Sequence, residues 1–514
     1  MEFRHEGGGV GRYRKEGVVW GDDDSADCHR PTRAHVDAGE PAQPPHDERV
    51  WANGVGPLST LPTRTLRISH VGLRGVVGAG GLTGRHAIDF ASAFGTLLEP
   101  GGVVVLGRDP RASGVMIAEG VKAGLTATGH DVIDLGVVST PVTQHAIRRL
   151  GGAGGISIGA SHNAAAWNAL KFFGRNGTYL STAEASELLD IYHLRRFRFE
   201  PYTGIGTVRA DASALEAYLD ELAASYDFSR LRRFKVVVDC CNGTSALILR
   251  RMNERFGFAF ILINGQVEGV EFAHEPNTSS RIVDLQLAPL VKPLGADAGF
   301  LFDVDSDRVA IASEAGRAVS EEMVMPLIAD HVLPRSAGKL IIANLSTTAL
   351  LEEIATRHGA TVVRVPVGRQ AAMDALAAYL PEQIALAGEG TGAVMLPRFR
   401  FVYDGITSML DILSMMAERE QPISAILASY PRYSMIKGQA ALVSRNVPSL
   451  LMGLQQEYGD GQANTLDGLR VDWPGRWFHV RVSQTESIVR VIAEQRGDPP
   501  RDLFDAVMGR VLSL

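Results

Sequence analysis

The chain has 514 residues, a formal net charge of −7 at pH 7, 45% hydrophobic residues and 21% charged residues. This composition can bury sizeable cores, and the length fits roughly three or four domains. The negative balance gives no electrostatic reason to expect a nucleic acid or an anionic membrane as partner. The three cysteines, Cys28, Cys240 and Cys241, lack the spacing of a zinc site, and we expect a reducing, cytoplasmic location.

The N-terminal part of the chain differs in texture from the rest. Residues 1–63 are rich in Asp, Pro, His and Ala and show no apolar period. We expect a disordered N-terminal extension there, and a mis-assigned start remains an alternative interpretation. The stretch lacks the apolar core of a signal peptide, and no uninterrupted apolar run in the chain is long enough to cross a bilayer.

From about Arg67 onward, signals for strands and helices alternate. "GGVVVLGRD" predicts a short buried strand, and "SGVMIAEGVKAGLTATG" predicts a helix closed by Gly129. The plan restarts at "FKVVVDCCNGTSALILRRMNERFG" and again at "KLIIANLSTTALLEEIATRHG". This rhythm predicts three α/β units between about 64 and 425. From about Pro431 the pattern changes to antiparallel strands and a terminal amphipathic helix, which is typical of an α+β module.

Three aspartates alternate in "LFDVDSDRVAIASEAG", directly after an apolar run that predicts a strand. Asp303, Asp305 and Asp307 would repel each other without a cation, and carboxylate oxygens favour Mg²⁺ or Ca²⁺. An EF-hand loop needs glycine at its sixth position, where this chain has Arg308. A haloacid-dehalogenase-type aspartyl nucleophile and a solvated acidic turn remain alternatives. In the Mg²⁺ interpretation, Arg308 binds an anionic group or orients a carboxylate.

The segment "GGISIGASHNAAAWNALKFF" begins as a buried strand and then becomes polar at Ser161. A serine at the exit of a strand can be a nucleophile, although the Gly-x-Ser-x-Gly pattern of a hydrolase elbow is missing. Alternatively, Ser161 or Asn163 caps a helix that contains Ala164–Leu170. The two interpretations are compatible, because a helix N-terminus also binds anions.

A glycine-rich stretch, "LAGEGTGAVMLP", carries Glu389 and Thr391 at alternate positions. A carboxylate acceptor and a hydroxyl in this arrangement suit the hydroxyl groups of a sugar. A plain turn would have the same composition, so the segment is ambiguous when it is considered alone.

Near the C-terminus, "RVSQTESIVR" places Arg481, Ser483 and Thr485 at alternate positions. A guanidinium group with two hydroxyls can hold a phosphate, whereas an exposed strand face would show the same alternation. Near the start of the folded region, Arg74 lies in the glycine-rich stretch "HVGLRGVVGAGGLT", which is a weak signal by itself.

Together and in this order, the segments resemble the α-D-phosphohexomutase superfamily over about residues 67–510. That family has an arginine–glycine loop, a Ser-His-Asn loop, a D-x-D-x-D-R loop, a G-E-x-[ST]-G loop and an R-x-S-x-T-E loop. The resemblance implies an α/β fold in which three related α/β domains with mixed sheets and a C-terminal α+β domain surround a central cleft. The domains expected after the N-terminal extension are 64–205, 206–314, 315–428 and 429–514.

The resemblance also assigns roles to single residues. Ser161 matches the serine that carries the phosphoryl group, and Lys171 matches the lysine of general acid/base catalysis. His162 and Arg74 complete the catalytic set. The expected cofactor is one Mg²⁺, bound by phosphorylated Ser161 with Asp303, Asp305 and Asp307, and the expected substrate-binding residues are Arg308, Glu389, Thr391, Arg481, Ser483 and Thr485.

The implied reaction interconverts hexose 6-phosphate and hexose 1-phosphate through phosphoserine and a bound 1,6-bisphosphate. Phosphoglucosamine mutase is favoured, with phosphomannomutase/phosphoglucomutase as the alternative. A non-catalytic sugar-phosphate-binding homologue and a metal-dependent phosphatase are further alternatives. The resemblance further implies a hexose 1,6-bisphosphate activator, a hexose phosphate as the bound partner, and a monomer or homodimer.

The chain departs from the family pattern in several loops. "RVPVGRQ" resembles the T-P-V-G-[DE] region of a phosphoglucosamine/phosphomannomutase-like subgroup but carries Val365 and Arg369. We expect the departures to loosen loop geometry while the reacting groups stay intact. The others are Ala164 for proline, Val304 for glycine, Gln484 for glycine or asparagine, Ser487 for proline, and Ala393 for histidine.

Overall fold

The alternating strand and helix signals fold into four consecutive sheets in the computed structural model. None of the described helices is long and apolar enough to cross a membrane. The predicted extension, residues 1–63, lies outside the described residues. The structure describes residues 65–397, 400–442, 446–483 and 488–513, which belong to one compact unit, Pro62–Leu514.

The first module, residues 67–231, contains a seven-stranded mixed sheet with helices packed against it. The strand and helix predicted around "GGVVVLGRD" and Gly129 are confirmed as its third strand and second helix. Its elements are β1 (Arg67–Ser69), β2 (Gly72–Val76), α1 (Gly84–Leu97), β3 (Val103–Arg108), α2 (Gly114–Ala127), β4 (Asp131–Val137), α3 (Thr140–Arg149), β5 (Gly154–Ile158), β6 (Trp167–Gly174), α4 (Thr182–Leu194), β7 (Val208–Ala210), α5 (Ala214–Ser225) and α6 (Phe228–Leu231).

The strand order of this sheet is β1-β2-β6-β5-β3-β4-β7. β3 pairs in parallel with β4 and β5, as βαβ connections require. β6 returns antiparallel to β5, so that Lys171 lies directly across from Ser157. The hairpin loop between these two strands, residues 159–166, is called the serine loop below.

The helix predicted over Ala164–Leu170 is wrong, because β6 begins at Trp167. Phe172 and Phe173 are buried in separate hydrophobic cores, as neighbours on opposite faces of a sheet should be. A strand that is buried on both faces shows an unbroken apolar run, which periodicity cannot distinguish from a buried helix segment. Ser161 therefore caps no helix.

The second module, residues 235–313, has a four-stranded sheet, and the third, residues 321–428, has a five-stranded sheet. The second contains β8 (Lys235–Asp239), α7 (Ser245–Phe256), β9 (Ala259–Ile263), α8 (Ser280–Gln286), α9 (Ala288–Val291), β10 (Ala298–Phe302) and β11 (Val309–Ser313). The third contains a 3₁₀ turn (Glu321–Met323), α10 (Val324–Val332), β12 (Leu340–Asn344), α11 (Leu350–Arg357), β13 (Thr361–Val365), α12 (Arg369–Ala378), a 3₁₀ turn (Pro381–Gln383), β14 (Ile384–Glu389), β15 (Ala393–Leu396), β16 (Arg400–Tyr403), α13 (Gly405–Arg419) and α14 (Ile423–Ala428).

In both of these sheets the inner strands are parallel and the later hairpins are antiparallel, so the predicted α/β class with mixed sheets is confirmed. The strand orders are β11-β10-β8-β9 and β13-β12-β14-β15-β16. β10 and β11 form an antiparallel hairpin. The aspartate loop, residues 303–308, joins these two strands.

The fourth module, residues 433–512, is an antiparallel sheet with two helices, as the α+β interpretation predicts. The domain boundaries stay a prediction; β7 pairs with β4 although it follows position 205. The fourth module contains β17 (Tyr433–Ala441), α15 (Val447–Glu457), β18 (Gln462–Asn464), β19 (Leu469–Trp473), β20 (Arg476–Val482), β21 (Ile488–Arg496) and α16 (Arg501–Leu512).

The four sheets do not each have a separate hydrophobic core. One continuous cluster of buried side chains draws on the first three modules. A separate cluster, from Ala440 to Val511, lies within the fourth module. The first three modules are therefore fixed to each other by shared apolar burial, which is the dominant stabilising term in folding.

A buried ion pair stabilises the second module at the end of β8. His274 Nε2 lies 3.0 Å from Asp239 Oδ2, and His274 Nδ1 lies 2.8 Å from the Glu275 carbonyl oxygen. Both ring nitrogens can donate only when the imidazole is protonated. Burial opposes that charge, but the hydrogen bond and charge of Asp239 outweigh it and raise the pKa of His274 to about 10.

We expect His274 to make the stability of the fold depend on alkaline pH. Its folded pKa lies above the ordinary value of 6.5, so its contribution is fully present below pH 6.5 and is lost as the pH rises through about 10. Between pH 6.5 and about pH 10, the difference in melting temperature between the parent chain and His274→Gln should become smaller by roughly 2–4 °C. Thermal unfolding of both chains across the range measures this, and a constant difference would contradict the ion pair.

Candidate active site

The serine loop holds Ser161 against the aspartate loop. Ser161 is 5% exposed, and its Oγ donates a hydrogen bond to Asp303 Oδ2 at 2.5 Å. Its φ of 49° lies in the left-handed region, which is uncommon for a residue with a side chain and marks a constrained conformation. Buried Arg111, paired with Asp109, fixes this conformation by donating to the carbonyl oxygens of Ser161 and Asn163.

The three aspartates of the aspartate loop are buried together. One carboxylate oxygen from each of Asp303, Asp305 and Asp307 lies within 4.8 Å of the others. All three residues are at most 1% exposed, so the solvated acidic turn is wrong. The EF-hand alternative is also wrong, because the loop joins two strands and not two helices.

The carboxylates of this loop fit a divalent cation. The Oδ1 atoms of Asp305 and Asp307 are buried and have no hydrogen-bond partner among the described residues. A buried acceptor that is left without a partner is costly, and a bound cation would satisfy both atoms. Oxygen donors in this number suit Mg²⁺, so the fit supports the metal site expected from the sequence.

The protonation preferences of the three carboxyls follow from their surroundings. Burial, followed by the charges of Asp307 and Asp305, raises the pKa of Asp303 well above its ordinary value. Burial and the Asp305 charge also raise the pKa of Asp307. Burial acts in the same direction on Asp305, but the Lys171 ammonium group outweighs it and lowers the pKa of Asp305. The loop therefore carries more negative charge than the side chains around it neutralise comfortably.

Lys171 reaches the aspartate loop from β6. Its Nζ donates to Asp305 Oδ2, to Asp307 Oδ2 at 3.1 Å and to Thr140 Oγ1 at 3.4 Å. Thr140 supports the same carboxylate through its hydroxyl, which donates to Asp305 Oδ2 at 2.8 Å. The first and second modules thus meet through a buried lysine and a buried threonine.

His162 is a neutral hydrogen-bond acceptor in this site. Arg308 Nη1 donates to His162 Nδ1 at 2.7 Å, and Arg74 Nη1 donates to Asn163 Oδ1 at 3.4 Å. The Arg308 charge, then burial and the charges of Arg74 and Arg369, lower the pKa of His162 to about 2. Three guanidinium groups near one imidazole form a positive surface beside Ser161, which suits an anionic group.

The loop from Glu389 to Gly392, called the Glu389 loop, lies on the other side of this cluster. Burial and the nearby Glu389 carboxylate raise the pKa of Tyr403 well above its usual range. Thr391 Oγ1 is buried without a hydrogen-bond partner among the described residues. A carboxylate and a free hydroxyl are the groups that hydroxyls of a sugar would use.

The Glu322 carboxylate packs against the backbone of the Glu389 loop. A Cβ atom at Gly390 would lie 2.0 Å from Glu322 Oε2, so the loop backbone lies directly on this carboxylate. Glu322 is anchored from two sides, by Lys437 Nζ at 2.8 Å and by the Thr348 backbone N–H at 3.1 Å. Because Lys437 is on β17, this ion pair also joins the fourth module to the loop.

The predicted phosphate-binding residues occupy the fourth module. Arg481 is on β20 and donates through Nε to Asp467 Oδ2 at 2.8 Å. Ser483 follows this strand, and Thr485 lies outside the described residues. Asp467 Oδ2 also accepts from the Val367 backbone N–H at 3.0 Å. The serine and aspartate loops touch directly, whereas Arg481 is connected to the third module through Asp467.

Several residues of this site were missed in the sequence. Arg111 lies in the polar loop after β3, and Thr140 begins α3, where a hydroxyl is ordinary at a helix start. Arg369 was noticed only as a departure from a family pattern, yet it donates to Asp307 Oδ2 at 2.6 Å. The sequence around Glu322 contains no motif, and nothing in it indicates that this carboxylate lies against Gly390.

One of the loop departures has a structural explanation. Val304 needs no glycine, because the left-handed residue of its loop is Ser306, with a φ of 63°. The Val304 side chain is buried, and its carbonyl oxygen accepts from Thr244. The Ala164 carbonyl oxygen accepts from the Trp167 backbone N–H at 3.0 Å, which a proline carbonyl would also do, so nothing in the structure explains alanine at this position. Gln484 and Ser487 lie outside the described residues, and Ala393 begins β15.

Family models match most of the described chain. Three models of one family, described as phosphoglucomutase/phosphomannomutase alpha/beta/alpha domains I, II and III, match residues 68–198, 216–316 and 320–433.

Individual relatives agree with these models. A phosphoglucomutase/phosphomannomutase of Thermococcus kodakarensis is 30% identical over 83% of this chain and 94% of its own length. A phosphoglucosamine/phosphogalactosamine mutase of Sulfurisphaera tokodaii is 28% identical over 83% of this chain and 94% of its own length. A crystal structure of a phosphoglucomutase/phosphomannomutase family protein from Burkholderia thailandensis superposes with a TM-score of 0.75 at 25% identity, covering 87% of this chain and 97% of that one.

We expect Arg308→Gln to raise the pKa of His162 from about 2 toward the ordinary 6.5, because the Arg308 charge is the largest cause of the depression. Imidazole NMR spectra of the metal-free, unphosphorylated chain, recorded from about pH 3 to about pH 8, measure this change. The His162→Gln spectrum identifies the signal.

Arg308→Lys is the matched control, since it keeps a positive charge near the ring and should keep the pKa of His162 low. A His162 signal that remains neutral throughout the range in Arg308→Gln would contradict the assigned cause.

Proposed function

Because the chain belongs to the phosphoglucomutase/phosphomannomutase family, we propose that it is a Mg²⁺-dependent phosphohexomutase that interconverts hexose 6-phosphate and hexose 1-phosphate. The observation that carries the proposal is the 2.5 Å contact of Ser161 Oγ with Asp303 Oδ2 in the buried aspartate loop. A serine that carries a phosphoryl group must lie beside the cation that neutralises it. Phosphoglucosamine mutase is the favoured member, in agreement with the name of the Sulfurisphaera tokodaii relative.

In the proposed cycle, phosphorylated Ser161 transfers its phosphoryl group to a hydroxyl of a hexose monophosphate. The bond from phosphorus to Ser161 Oγ breaks, and a bond from phosphorus to the sugar oxygen forms. The Lys171 ammonium group gives one proton to the departing Ser161 Oγ and takes up the proton of the sugar hydroxyl, so that Ser161 finishes as a hydroxyl and atoms and charges balance. The resulting 1,6-bisphosphate turns over and returns its other phosphoryl group to Ser161 by the reverse steps.

The residues around Ser161 neutralise charge and bind the substrate in this proposal. Mg²⁺ bound by the three aspartates would neutralise charge on the phosphoryl group. Arg74 and Arg308 face the same group as fixed positive charges, and neutral His162 keeps the Arg308 guanidinium oriented. In the proposal, Glu389 and Thr391 bind sugar hydroxyls, while Arg481, Ser483 and Thr485 hold the phosphate that is not reacting.

Ser161→Ala tests the proposal directly. Without the carrier hydroxyl, we expect kcat to fall by at least about 10³-fold, because the phosphoryl group has no acceptor on the protein. Isomerisation is measured on glucosamine, mannose and glucose phosphates with the matching 1,6-bisphosphate present. Ser92→Ala, which removes a buried hydroxyl from α1, is the matched control and should keep the parental rate.

Intact mass measurement complements the kinetics. The active parent chain should carry one phosphoryl group that is missing in Ser161→Ala. An alanine variant with the parental rate would refute the role of Ser161. Steady release of inorganic phosphate without isomerised sugar would instead identify a phosphatase, and a parent chain that binds sugar phosphates without turnover would identify a non-catalytic homologue.

The identity of the sugar is tested by the same side-by-side rates. The highest kcat/KM on glucosamine phosphate would support the favoured assignment. The highest value on mannose or glucose phosphate would support phosphomannomutase/phosphoglucomutase activity, in agreement with the name of the Thermococcus kodakarensis relative.

A further inference from the structure

A buried guanidinium group connects three modules at the aspartate loop. Arg369 begins α12 in the third module, and its side chain is 11% exposed. Its Nη2 donates to Asp307 Oδ2 of the second module at 2.6 Å. Its Nη1 donates to the Tyr179 hydroxyl of the first module.

The position of this guanidinium is tightly fixed. It lies 5.0 Å from the ring centroid of Tyr179 and 5.2 Å from that of Tyr403, distances at which a cation is attracted by both rings. The next residue, Gln370, donates through Nε2 to the Leu180 carbonyl oxygen at 2.8 Å, which ties the start of α12 to the first module. Arg369 is therefore part of the assembled site and is not a surface charge that happens to approach it.

Arg369 binds Asp307, a residue that is expected to bind the metal ion. Asp307 Oδ2 accepts hydrogen bonds from both Lys171 and Arg369, whereas Asp307 Oδ1 has no partner among the described residues. Three aspartate charges thus face three fixed cations, Lys171 of the first module, Arg308 of the second and Arg369 of the third. A divalent ion that enters the loop therefore meets the positive charge of Arg369, which is already bound to Asp307, one of the expected ligands of that ion.

We propose that Arg369 competes with Mg²⁺ for Asp307 and thereby sets a weak metal affinity in the unphosphorylated chain. The inference rests on the proposed metal site and concerns binding only. Removing the guanidinium takes away a repulsive charge and leaves Lys171 as the remaining partner of Asp307 Oδ2. Both changes make the Asp307 carboxylate a stronger ligand for a divalent cation. Arg369 is a positioning residue in this proposal, because it acts on the metal through Asp307.

Calorimetric titration of Mg²⁺ into the metal-free chain tests the proposal, with the unphosphorylated state of Ser161 verified by mass. Arg369→Gln should bind Mg²⁺ about tenfold more tightly than the parent chain. Arg369→Met is a second neutral variant that packs between the two tyrosine rings without a polar group, and it should show the same gain. Arg369→Lys restores the charge, and its dissociation constant should return toward the parental value.

Arg419→Gln is the matched control within the third module. Its Nη2 donates to Asp330 Oδ2 at 2.5 Å in an ion pair apart from the aspartate loop, so Mg²⁺ affinity should not change. Unchanged or weaker Mg²⁺ binding in both folded neutral variants would overturn the proposal and leave Arg369 a structural link. Because no turnover is measured, this outcome is distinguishable from failure of the proposed mutase activity, which Ser161→Ala tests separately.

Discussion

Three carboxylates buried within 4.8 Å of one another repel strongly, and the rest of the site is arranged around this constraint. The compensating cations come from three modules, with Lys171 from the first, Arg308 from the second and Arg369 from the third. None of these modules could neutralise the loop alone. The continuous hydrophobic core that the first three modules share holds the cations at fixed distances and thereby makes the buried charges tolerable.

The serine loop places a hydroxyl group against these buried carboxylates. Ser161 is held in a left-handed conformation by the interactions of Arg111 with its carbonyl oxygen and that of Asn163. Its hydroxyl is thereby directed at Asp303, on the aspartate loop. If Ser161 carries the phosphoryl group as proposed, a hydroxyl that is already held in position needs less reorganisation during the reaction, which is the advantage of a preorganised site.

The fourth module is attached in a different way. It has its own core and meets the third module through polar contacts, including Lys437 with Glu322, Glu494 with the Ala349 backbone N–H, and Asp467 with the Val367 backbone N–H. Two of these contacts lead to loops that the sequence predicts to bind the substrate. Glu322 supports Gly390 of the Glu389 loop, and Asp467 holds Arg481. The position of the Glu389 loop relative to Arg481 therefore depends on these hydrogen bonds and ion pairs, besides the packing of Tyr433 against the core of the first three modules.

Much of the fold followed from local pattern. The strand–helix rhythm predicted the mixed α/β sheets, and the change of texture near Pro431 predicted the antiparallel fourth module. The prediction failed at Ala164–Leu170, because a strand buried on both faces loses the alternation that distinguishes it from a helix. The hydrophobic pattern of a segment distinguishes a strand from a helix only when one face of the element is exposed to solvent.

For the site, the sequence by itself determined which residues are candidates for the chemistry: the alternating Asp303, Asp305 and Asp307, the polar break at Ser161, and the order of the loops. Tertiary structure decided which groups meet. Only the folded chain brings Lys171 onto two aspartates, turns His162 into a neutral acceptor of an Arg308 hydrogen bond, and brings Arg369 to Asp307. Such pairings join positions far apart in the chain, and their energies depend on burial and distance, which no local spacing encodes.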